Sequence, residues 1–128
     1  MQIIDKITRQ TLIDDGSLIV IEDEELAKAG VKFPSCVTSN LYVLMEDKPV
    51  YESDEARLYD LLYMFTMAAE GKIQAKVTVL PNGEEMEYSF ILNDSVSVDA
   101  SRKVTIKAVV APGDNLEPTL TFMLPYED

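Results

Sequence analysis

Three clusters of carboxylates hold the residues best placed by type and spacing to do chemistry: Glu22-Asp23-Glu24-Glu25, Glu84-Glu85 with Glu87, and Asp114-Asn115 with Glu117. Two carboxylates flanking a glycosidic bond can serve as general acid and as base or nucleophile, so the first two clusters supply by number the members of a carboxylate-based hydrolase. The third crowds oxygen-bearing side chains into the turn Gly113-Asp114-Asn115-Leu116-Glu117, the donor type that a hard cation takes. It has neither the length nor the alternating ligands of an EF-hand loop. Each cluster also has a plainer structural use, because acids favour helix starts and Asp and Asn favour turns. Neither a catalytic constellation nor a metal or cofactor site is therefore expected, with Asp114, Asn115 and Glu117 the nearest approach to a metal site.

The chain has no histidine, which removes Ser-His-Asp and Cys-His catalysis and the imidazole metal ligands. Its single cysteine, Cys36, stands between Ser35 and Val37 and reads as a small buried thiol that forms no intrachain disulfide. The five glycines are isolated and form no phosphate-cradling loop. With 23 acidic against 11 basic side chains the net charge is −12, a surface that repels phosphate backbones and anionic lipid headgroups. Direct binding to nucleic acid or membrane is not expected.

The elements that must position these residues follow from the period of the apolar side chains. At 128 residues the length suits a single domain over 1–128. The first fifty residues read as short helices and turns with one strand. Thr8 caps a helix over RQTLIDD and Gly16 stops it. Ser17 to Ile21 forms the strand, the acids from Glu22 to Glu25 open a helix closed by Gly30, and Thr38 or Ser39 caps a turn or two through NLYVLME.

The main helix spans 53–70, capped by Ser53 or Asp54 and closed by Gly71, with Leu58, Leu61, Leu62, Phe65, Ala68 and Ala69 as its inward stripe. Tyr59, Tyr63 and Met67 form a second column, for which burial on two sides is preferred over a partner surface. From 73 to 124 the period becomes two, which predicts two sequential β-hairpins. Ile73, Ala75, Val77 and Val79 pair through Pro81-Asn82-Gly83 with Met86, Tyr88, Phe90 and Leu92. Val104, Ile106, Ala108 and Val110 pair through Pro112-Gly113-Asp114 with Leu120, Phe122 and Leu124. The expected fold is α+β: an antiparallel meander of four to five strands, helices packed on one face, and the SLIVI strand at an edge.

The segments TRQTLIDDGSLIVIEDEELAKAGVKFP, DEARLYDLLYMFTMAAEG and KVTIKAVVAPGDNLEPTLTFMLPYED resemble, over nearly the whole chain, a small uncharacterised family with a domain of unknown function found on bacterial plasmids and phages. The chain departs from that family at Ser39-Asn40-Leu41-Tyr42, where an Arg-Ala-aromatic segment is usual, so no basic role is carried over there. The resemblance implies a mobile-element setting and no catalytic residues. It suggests the cytoplasm of a bacterial host, in keeping with an N-terminal MQIIDKITRQ that has no apolar run of signal-peptide length. The expected function is that of a non-enzymatic accessory protein, monomeric or a small homo-oligomer, that binds another protein through Tyr59, Tyr63 and Met67 or through an exposed edge strand. The alternative is an acidic DNA mimic inhibiting a host nuclease or defence complex, in which Glu22, Asp23, Glu24, Glu25, Glu84, Glu85 and Glu87 make one negative face. A carboxylate-based hydrolase is the weakest alternative.

Overall fold

A computed structural model describes residues 8–46, 53–93 and 101–127. In chain order the elements are α1 (Arg9–Asp14), β1 (Leu18–Val20), α2 (Asp23–Ala29), β2 (Ser35–Thr38), α3 (Ser39–Glu46), α4 (Asp54–Ala69), β3 (Ala75–Leu80), β4 (Gly83–Asn93), β5 (Ser101–Pro112) and β6 (Pro118–Met123). The stretch that links the two hairpins lies, over 94–100, outside the described residues.

The helices begin and end where local chemistry dictates. Thr8 Oγ1 accepts from Thr11 N at α1, and Ser53 Oγ accepts from Ala56 N at α4, each satisfying an amide that the helix leaves orphaned. The acids Asp23, Glu24 and Glu25 occupy the first turn of α2, and Gly30 ends it in the left-handed conformation at φ 79°. Thr38 Oγ1 accepts from Leu41 N at 3.3 Å, so Thr38 caps α3.

The strands form one sheet of six in the order β1-β2-β6-β5-β4-β3. From β3 to β6 it is the antiparallel meander that the period-two pattern predicts, and β1 lies at an edge. The expected four to five strands are too few, because Ser35–Thr38 forms β2 within the first fifty residues, which read as short helices and turns with one strand. β2 runs parallel to β6, Val37 opposite Phe122, and antiparallel to β1, Val37 opposite Ile19. The sheet is therefore mixed.

Side chains alternate across this sheet, and the register assigns them to two faces. One carries Val37, Phe122, Leu120, Ala108, Ile106 and Tyr88, which pack with Leu26, Leu41, Met45, Leu61 and Leu62 of α2, α3 and α4 into the core. The other carries Leu18, Cys36, Thr121 and Met123 at its β1–β6 end, where α1 lies: Arg9 Nη1 donates to Thr121 Oγ1 at 2.7 Å and Nη2 to the Leu120 carbonyl at 3.0 Å. Helices gathered on one face are thus corrected. α2, α3 and α4 share a face, and α1 occupies the opposite one.

Two details of the expected core also change. Ala69 is exposed, the stripe continuing instead through Arg57, which is buried. Val77 and Val79 share the core-forming face by register but are 52% and 79% exposed, because β3 is the outermost strand and extends beyond the helical cover.

Candidate functional site

The solvent side of α4 carries the most conspicuous exposed aromatic pair. Tyr59 and Tyr63 are one helical turn apart, point away from Leu61 and Leu62, and stack with ring centroids 5.7 Å apart and planes 16° from parallel. They are 41% and 43% exposed, so burial on two sides is corrected for this pair. Met67 continues the column and is half-buried. Offset rings stacked on one another keep their outer faces and hydroxyls available, the form in which tyrosine contributes to protein interfaces.

The carboxylate clusters separate in space. Glu22, Asp23 and Glu24 are exposed at the start of α2, while Glu25 pairs with Lys28 at 3.2 Å. Glu84 shares the core-forming face of the sheet, opposite Val79 and Val110. Glu85 and Glu87 project from the other face. In register Glu87 stands between Lys76 and Lys107, a row of alternating charge that stabilises adjacent strands. The seven acids proposed for one negative face are therefore divided between the two sides of the sheet.

In the β5–β6 turn the oxygens face backbone amides. Asp114 accepts from Arg9 N at 2.9 Å and Gln10 N at 3.0 Å, one carboxylate laid across the first turn of α1. Glu117 Oε1 accepts from Asn115 N at 3.0 Å. These bonds fasten α1 to the turn and shape the loop, and among the described residues no group of three or more metal-ligating side chains converges.

Sequence reasoning missed Arg57. It lies one helical turn before Leu61, is 2% exposed, and lines a cavity of about 170 Å³ together with the apolar Ile19, Ile21, Val37 and Met45. Glu22, Glu25, Glu46, Asp54 and Glu55 line the same cavity, so a buried guanidinium sits in an acidic setting. The signal was its place in the α4 stripe, at the spacing of an inward residue. Cys36 is buried, and burial raises its thiol pKa while nearby Arg9 lowers it, the net shift being upward. A thiol held protonated is a weak nucleophile.

A small α+β domain on a six-stranded mixed sheet, with an exposed aromatic helix face and dispersed carboxylates, is the class that these features define. The chain belongs to a family of unknown function, DUF6573, whose family model matches residues 1–128. No curated protein and no solved structure matches it. Among the described residues no helix is long and apolar enough to cross a membrane.

Proposed function

We propose that this chain is a non-enzymatic accessory protein of a bacterial mobile genetic element that acts in the host cytoplasm by binding another protein. The observation that carries the reading is the stacked Tyr59–Tyr63 pair, more than two-fifths exposed on the outer side of α4. Large aromatic rings held rigidly by a helix bury much apolar area for little loss of conformational freedom, which makes them anchors for a partner. The mobile-element setting is supported by the resemblance to plasmid- and phage-borne proteins. An acidic mimic of DNA has less support, since Glu84 faces away from Glu85 and Glu87, and Glu87 is flanked by two lysines. A hydrolase has less still, because Glu84 faces away from Glu85 and Glu87 across the sheet, and Glu25 is paired with Lys28.

The test is affinity capture from bacterial host lysate with the native chain and with a Tyr59→Ser/Tyr63→Ser variant, each at low and high salt. The retained protein should be the same at both ionic strengths and should be lost from the variant. The variant's own stability should change by no more than about 0.5 kcal/mol, as surface substitutions do. A partner that binds nucleic acid, releases steeply as salt rises and ignores the tyrosine changes would replace this reading with the mimic.

A further inference from the structure

We propose that β3 is a self-association edge whose occupant is a second copy of this chain, the two β3 strands pairing antiparallel across a two-fold axis at Val77. This goes beyond the reading of α4, and involves a different surface. Among the described residues β3 pairs with β4 alone, so its other side ends the sheet. The two-residue loop Pro81-Asn82 closes on the pair Leu80 and Gly83. That pair's amides and carbonyls must face one another across the hairpin, as must those of Thr78 and Lys76, at steps of two along the strand. Ala75, Val77 and Val79 consequently direct their N–H and C=O groups outward, unpaired donors and acceptors on a strand six residues long.

The side chains of that edge are complementary to themselves. With the axis at Val77, each outward-facing residue meets an outward-facing residue of the second copy, Val77 opposite Val77 and Val79 opposite Ala75. These are also the aliphatic side chains that the helical layer leaves uncovered, Val77 at 52% and Val79 at 79% exposure. On the other face Lys76 meets Thr78, so like charges never stand directly opposite. The local charge also suits a second copy. Between Gly71 and Gly83 there is no carboxylate and there are two lysines, on a chain whose net charge is −12. The strand that would meet its copy thus presents a lysine and no acid, the nearest carboxylates, Glu84, Glu85 and Glu87, standing one strand behind on β4. The opposite edge, β1, has only three residues and offers little to pair with.

Sedimentation velocity over micromolar to hundred-micromolar concentrations tests this with the intact chain. The native chain should show a concentration-dependent dimer that tightens as salt screens the repulsion between two acidic copies. Val77→Lys places two cations face to face on the axis. Val77→Pro removes an outward N–H that β4 does not use, a position at which an edge strand tolerates proline. Each change should weaken the dimer about tenfold or more. Val77→Lys alters an exposed side chain and keeps the test decisive should the proline disturb the strand. The Tyr59→Ser/Tyr63→Ser variant should dimerise normally, which separates this proposal from the partner-binding reading. A native chain that stays monomeric throughout, or Val77 variants that dimerise as tightly as it does, would overturn the proposal.

Discussion

Tyr88 shows how one side chain ties the sheet to the main helix. It is 2% exposed, its ring lies 6.1 Å from Phe90 and 6.3 Å from Phe65, and its hydroxyl donates to the Leu61 carbonyl at 3.1 Å. Burial disfavours the phenolate and pushes the pKa well above 10.0. The fold therefore holds the neutral phenol while the unfolded chain ionises near 10.0. Stability from this difference is fully present below that pH and is lost as pH rises through it toward the folded value. Denaturant titrations should show the native chain losing stability through alkaline pH more steeply than Tyr88→Phe. At neutral pH that variant should be about 1 kcal/mol less stable, from loss of the hydrogen bond. Equal alkaline slopes for the two chains would show that the phenol is not shielded. Alternation along β4 places Tyr88 inward from the sequence. The acceptor for its hydroxyl does not follow from it, since Leu61 is 27 residues away.

At the scale of elements, Gly83 illustrates a right residue read for an incomplete reason. Pro81-Asn82-Gly83 marks a hairpin, and the hairpin is present. Gly83 is not in the left-handed region that makes glycine a turn residue. It is the first residue of β4, and a Cβ there would overlap the Val110 carbonyl oxygen of the neighbouring β5. Gly83→Ala must therefore push two paired strands apart or distort them. The cost should be about 1–3 kcal/mol, read as a lower unfolding midpoint in urea. Stability equal to the native chain would mean that β4 and β5 are not so closely placed. β2 was illegible for a different reason. Ser35–Thr38 holds a single strongly apolar pair between Pro34 and a helix cap, too short for any period to show. It becomes a strand because β1 and β6 supply partners on both sides. The seat of α1 was equally hidden, resting on Arg9 and on Asp114 more than a hundred residues away.

For the whole molecule, the net charge of −12 is a sum that no single contact reveals. Self-repulsion among excess carboxylates destabilises a compact state, and dissolved salt screens it. Thermal unfolding midpoints should rise as sodium chloride is added from low ionic strength. A midpoint that falls or stays level would mean that pairs such as Lys28–Glu25 and the Lys76, Glu87 and Lys107 row already balance the field.

By itself the sequence determined the helices with their caps and stops and the period-two meander, since each depends on side chains within a few residues of one another, and the acidic excess, which is a sum over composition. Only the tertiary structure decided which carboxylates share a face, that α1 crosses to the far side of the sheet, that Arg57 is buried, and that Tyr59, Tyr63, Val77 and Val79 face solvent. The physical reason is that burial is a property of what lies opposite a residue. Periodicity states which side chains point the same way, and the order of strands and the reach of the helices fix whether anything covers them.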